Sequence, residues 1–314
     1  MMIDRQARTV TTADGVALAV EIHGRRDMAP HVPTVVLAHD WGLTRECWGR
    51  VVERVIPWGV RVLTWDQRGH GRSTLGLDRD LLDDLTIDHF GRDLQAVIRA
   101  IVPPTSPVIL VGHSLGGMTA MSYVGQHLKE ARTRVAGAVL LSAAAVDVRL
   151  GQAPRGRLGK LLGRTGPDPY EVPLRASNVH DLFGDDPEPS AVEAVREQLA
   201  GTDAAVLRAA YRAFCQADVR RAFELLAVLP VSILGGAKDR VTPSTRSRAM
   251  TITLTEARFT ALSGVGHALP YEAPDRIVDE LRWVLETLRE NMRSRASQRA
   301  ASPGAPQSRS GESS

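Results

Sequence analysis

The chain has 314 residues, 43% of them hydrophobic and 24% charged, enough to bury a large core in one α/β domain carrying an insertion. No apolar run approaches the roughly 20 residues of a membrane span, and the start MMIDRQARTVTTADG lacks the apolar centre of a secretory leader, so a cytoplasmic protein without a transmembrane segment is expected. The formal charge of +3 resides in the tail, where Arg293, Arg295, Arg299 and Arg309 stand against Glu312; the rest is near neutral and only 4% aromatic, which argues against a nucleic-acid partner.

In chain order, short β-branched runs alternate with segments of helical period, the pattern of a mostly parallel sheet covered by helices. Strands are predicted over 16–22, 34–38 and 61–65, with a helix between the last two that carries Trp48, Val51, Val52 and Val55 on one face behind Thr44. Thr86 caps a second helix with a stripe of Phe90, Leu94, Val97, Ile98 and Ile101, which Pro103 and Pro104 end. A strand at 108–111, a helix over 115–128 with Met118 and Met121 in the core, and a strand at 135–141 follow. Strands at 231–234 and 258–262 and an amphipathic helix opening at Pro274 complete the series.

The alternation breaks over 147–228, where helical patterns at 190–200 and 203–215 indicate an inserted helical cap. The expected division is therefore an α/β core at 1–146 and 229–292, the cap at 147–228, and a tail at 293–314 too poor in apolar residues to order itself. Cys47 and Cys215 form no metal or redox spacing and are read as buried small hydrophobes. Arg155, Arg157, Lys160 and Arg164 among Leu158, Leu161 and Leu162 are read as a solvated face, the competing reading being a cap element that touches an anionic lipid surface.

Gly112-His113-Ser114-Leu115-Gly116 has the form G-x-S-x-G between a predicted strand and a predicted helix. Such a serine sits on a sharp turn that needs small residues two positions to either side, and the helix beneath it offers a backbone N–H and a favourable dipole to a developing oxyanion. A serine hydroxyl needs a base. Of nine histidines only His267 lies beyond residue 180, in the glycine-flanked loop Ser263–His267 after the last strand. Asp239 follows the strand 231–234 and is placed to orient the imidazole, with Asp147 as the substitute acid; for Asp239 the structural alternative is an Asx-turn ahead of Pro243.

The order Ser, Asp, His, the elbow GHSLGG, the run Asp66 to Ser73 after a strand, and GVGHALPYEAP together resemble the α/β-hydrolase superfamily over residues 9–290. The resemblance implies an α/β fold with an eight-stranded mostly parallel sheet, helices on both faces, a cap after the sixth strand, and an acyl-enzyme mechanism. It also implies an oxyanion hole made by the N–H groups of Leu115 and Trp41. No metal or organic cofactor is called for, and the expected substrate is a small-molecule ester or lipid, small aliphatic or monoacylglycerol-like. Perhydrolases, thioesterases, amidases and carbon–carbon bond hydrolases use the same triad, and a weakly catalytic binding protein on this fold is the alternative of a different class. Epoxide hydrolases and haloalkane dehalogenases are disfavoured because those relatives carry Asp where Ser114 stands. One departure stands out: the family has His-Gly where this chain has His39-Asp40. Asp tolerates unusual backbone angles, so the loop is expected to keep its shape with the Asp40 carboxylate turned to solvent, the alternative being an inward carboxylate that would oppose an oxyanion; Arg68 and His70 are expected to hold loops together.

Overall fold

A computed structural model describes residues 4–25, 28–76, 82–146 and 176–301. Its centre is one eight-stranded sheet in the order β1-β2-β4-β3-β5-β6-β7-β8: β1 Arg5–Thr11, β2 Ala17–His23, β3 Thr34–Ala38, β4 Arg61–Trp65, β5 Val108–His113, β6 Val135–Leu141, β7 Val231–Gly236 and β8 Arg258–Leu262. β1 and β2 pair antiparallel with each other, β2 pairs antiparallel with β4, and all other pairs are parallel.

The parallel strands are apolar on both faces because both are covered. Val36, Ala38, Val108 and Leu110 point into one core with Phe90, Leu94, Met118 and Met121. Val35, Leu37, Ile109 and Val111 point into the other with Trp48, Val51, Ile277 and Leu281. The first face is closed by helices Ile87–Ile101 and Leu115–Gln126, the second by Gly49–Val55 and Pro274–Ala301. Cys47 and Cys215 are buried and form no disulfide.

β1 escapes the sequence reading because only Val10 along it is buried, so it has no apolar alternation to announce it and exists by pairing with β2. The terminal helix runs to Ala301, nine residues into the segment expected to lack order. That expectation weighed apolar content alone, whereas Arg, Gln and Ala favour a helix by intrinsic propensity and no Gly or Pro intervenes before Pro303. In the cap, helices Pro189–Ala200 and Ala204–Cys215 stand where their periodicity put them. The basic run at 155–164 and Asp147 lie outside the described residues.

The loop after β4 is held by buried charge. Arg68 donates to both carboxylate oxygens of Asp93 at 2.6 Å and to Asp14 at 3.1 Å, while His70 Nδ1 donates to the Arg68 carbonyl at 2.9 Å. Asp66 accepts from the backbone N–H groups of Arg45 and Arg72 and pairs with the Arg45 guanidinium. Removing one partner of a buried pair strands the other charge, so Asp93→Ala is expected to lower the unfolding free energy by about 3–5 kcal/mol in urea denaturation, with Asp93→Asn losing less. A loss below about 1 kcal/mol would show that Arg68 finds water or Asp14 instead.

Candidate active site

Parallel strands deliver their carboxyl ends to one sheet edge, and four loops meet there. The register pairs Ala38 of β3 with Gly112 of β5, which sets His39 and Asp40 beside His113 and Ser114. β7 and β8, paired at Gly236 and Leu262, release Asp239 and His267 at the same edge.

Ser114 has φ 51° and ψ −110° between β5 and the helix Leu115–Gln126, a strained conformation for a residue with a Cβ. Both flanking glycines are required by space. A Cβ on Gly112 would lie 2.4 Å from the Gly116 carbonyl oxygen, and one on Gly116 would lie 2.1 Å from that of Ala38. The small residues of the motif are therefore what lets β3, β5 and the helix close on one another.

His267 Nδ1 donates to Asp239 Oδ2 at 2.8 Å. The other oxygen of Asp239 accepts from the N–H groups of Val241 and Thr242, both at 2.8 Å, so the bond to the imidazole and the Asx-turn coexist, one on each oxygen. Burial pushes the Asp239 carboxyl up, but the adjacent imidazolium and these hydrogen bonds outweigh it and hold the group below its ordinary range. The His267 loop is clipped in place by Glu272, which accepts from Gly184 at 2.7 Å and Gly266 at 3.0 Å, and by the His267 N–H, which donates to the Leu182 carbonyl at 2.7 Å. Nothing in the spacing around His267 disclosed Glu272, because its partners come from residue 184 of the cap and from the loop itself.

The oxyanion loop corrects the sequence reading. Asp40 is 7% exposed and turns inward. Its Oδ1 accepts from the Trp41 N–H at 2.6 Å and from the Leu115 N–H at 3.3 Å, the two donors assigned to an oxyanion. Its Oδ2 accepts from His267 Nε2 at 3.0 Å, and the Ser114 hydroxyl is a further hydrogen-bond partner. The carboxylate turns in because two N–H groups and an imidazolium provide more than water offers a buried loop. Burial opposes its ionisation, yet the charge of His267 and these hydrogen bonds keep it ionised to well below the usual carboxylate range. Burial likewise disfavours the charged form of His267, but Asp239 and Asp40 on either side raise it to about 10.

Two neighbouring histidines are neutral. Burial takes His39 to about 4; its Nδ1 donates to the Asp40 carbonyl at 2.7 Å and its Nε2 accepts from the Gln67 N–H at 2.9 Å, which fixes the start of the loop. Burial also takes His113 to about 4; its Nε2 donates to the His267 carbonyl at 2.7 Å, leaving Nδ1 with no partner. Beyond Asp40 the loop is tied to the cap: Trp41 Nε1 donates to the Leu207 carbonyl at 2.7 Å and the Thr44 N–H to Gln198 Oε1 at 2.8 Å. The Trp41 ring meets Tyr211 of the cap edge-on at 6.1 Å.

Known proteins resemble this chain in sequence and in fold. A monoacylglycerol lipase of Mycolicibacterium smegmatis is 29% identical over 81% of this chain and 88% of its own length. A bifunctional esterase/perhydrolase of Acinetobacter calcoaceticus is 34% identical over 43% of this chain, a stretch that spans 44% of that relative. Among solved structures, a putative aryl esterase from Burkholderia cenocepacia superposes with a TM-score of 0.70 at 22% identity, covering 91% of this chain and all of its own, which is a likeness of fold. The profile of the Alpha/beta hydrolase family matches residues 35–280, and this chain belongs to that family.

Proposed function

We propose that the protein hydrolyses a carboxylic ester, small aliphatic or monoacylglycerol-like, through an acyl-enzyme on Ser114. The observation that carries this reading is the strained elbow at Ser114 at one sheet edge with a His267–Asp239 pair joined at 2.8 Å. The named activities of the relatives, esterase and monoacylglycerol lipase, support the bond type. Tyr211 against Trp41 lays apolar surface beside the loop, which suits an acyl chain.

In this mechanism the ester carbonyl oxygen takes the N–H groups of Trp41 and Leu115, and Asp40 must withdraw from them as it does so. Neutral His267 removes the Ser114 proton as Oγ attacks, and Asp239 stabilises the imidazolium that forms. That imidazolium protonates the departing alcohol, and His267 then activates the water that releases the acid.

Labelling with a fluorophosphonate, followed by locating the adduct, tests the assignment. One equivalent on Ser114, slowed by about 100-fold or more in His267→Ala, is the expected result. Unreactive protein, in both the native chain and an Asp40→Gly variant, would overturn it. The occupied oxyanion hole favours a second reading, a ligand-binding protein with little turnover, and that reading predicts the unreactive outcome.

A further inference from the structure

Asp40 and His113 converge on His267 without a part in the chemistry of ester hydrolysis. One carboxylate oxygen and one ring nitrogen from each histidine lie within 4.8 Å of one another, all three residues buried. His113 ends β5, and Asp40 and His267 lie in the loops after β3 and β8. We propose that these three side chains form a binding site for a divalent transition-metal ion of the Zn2+ or Co2+ type, and that filling it arrests the serine chemistry.

The donor set selects the ion. Two imidazoles and one carboxylate suit Zn2+ and its neighbours, whereas Mg2+ and Ca2+ prefer all-oxygen shells. The independent sign is His113. It is fully buried, its Nε2–H is spent on the His267 carbonyl, and its Nδ1 is a buried lone pair with no hydrogen-bond donor. A buried acceptor left unpaired is costly, and a metal ion satisfies it. The carboxylate is already fixed by Trp41 N–H and the ring of His267 by Asp239, so two of the three ligands carry the outer hydrogen bonds that orient metal ligands elsewhere.

Geometry is close to what is needed. His267 Nε2 and Asp40 Oδ2 are 3.0 Å apart. An ion about 2.0–2.2 Å from each donor sets tetrahedral ligand atoms about 3.3–3.6 Å apart, within reach of small side-chain rotations. Ser114, whose hydroxyl bonds to Asp40, adjoins the site, and the fourth coordination position is left to water. The exchange balances: the ion replaces the proton shared by His267 Nε2 and Asp40 Oδ2, and one proton leaves to solvent. With His267 Nε2 bound to metal, no base remains for Ser114.

Full-length Ser114→Ala protein, freed of metal by chelation, is titrated with Co2+ and Zn2+, so that binding is read without any catalytic activity. The expected result is one equivalent of Co2+ per chain with visible d–d bands of four-coordinate geometry, displaced by Zn2+, and affinity reduced more than about tenfold by either Asp40→Asn or His113→Gln added to it. Absence of such bands at millimolar Co2+, or bands and affinity that persist in the Asp40→Asn protein, would overturn the site. Asp40→Asn is nearly isosteric, so the test does not depend on whether the His113 variant folds. Failure here leaves ester hydrolysis untouched, and failure of ester hydrolysis leaves the Co2+ titration interpretable.

Discussion

Ser114→Ala in an Asp40→Gly background is expected to lower ester turnover by about 10^4-fold or more, leaving only what binding and the oxyanion donors provide. The argument is positional. Ser114 is the one hydroxyl on the strained turn, facing Asp40, with the helix Leu115–Gln126 aimed at it. Initial rates on p-nitrophenyl acetate, butyrate, octanoate and palmitate, measured side by side, check it, and the preferred chain length sizes the acyl site. Turnover that survives in the alanine variant would place the nucleophile elsewhere and end the acyl-enzyme reading. The Asp40→Gly background keeps the parent rate high enough for the fall to be measured.

Asp40→Gly alone is expected to raise kcat/KM on the same esters by about 100-fold. Removing a single oxyanion donor from related chemistry costs about 10^2- to 10^3-fold, and here a carboxylate occupies two donors at once. A substrate carbonyl must displace that anion before it can be polarised. The second effect is on the base. With His267 raised to about 10 by the carboxylates flanking it, only a small neutral fraction exists at pH 7, and only the neutral ring can take the Ser114 proton. The rate of the native chain is therefore expected to climb with pH toward about 10, as the imidazolium loses its proton. In Asp40→Gly and Asp40→Asn one of the two carboxylate charges is gone, so the inflection moves down in pH. A rate that falls in both variants would mean that Asp40 takes part in the chemistry rather than standing in its way.

The sequence was explicit wherever a local rule was sufficient. Alternation and caps placed β3, β4, β6 and β8 to the residue, because these strands are bounded by turns and carry apolar side chains. β1 was invisible, since an exposed edge strand with one buried side chain exists by pairing and not by pattern. The helix to Ala301 was missed for the converse reason, propensity without an apolar stripe.

At the site the same boundary holds. The residue types and their order named Ser114, Asp239 and His267, since G-x-S-x-G demands a strand-to-helix turn and loops after parallel strands share one edge. Sequence also flagged Asp40 as foreign to its position, but not which way it points. That was decided by tertiary structure: the register of β3 against β5 sets the carboxylate over two unpaired N–H groups and beside an imidazole held by Asp239. The free Nδ1 of His113 is equally beyond sequence, because its proton was spent on a carbonyl 154 residues away. Periodicity and motif spacing report what each segment prefers by itself; the direction of a buried charge depends on the field of groups that only the folded chain brings together.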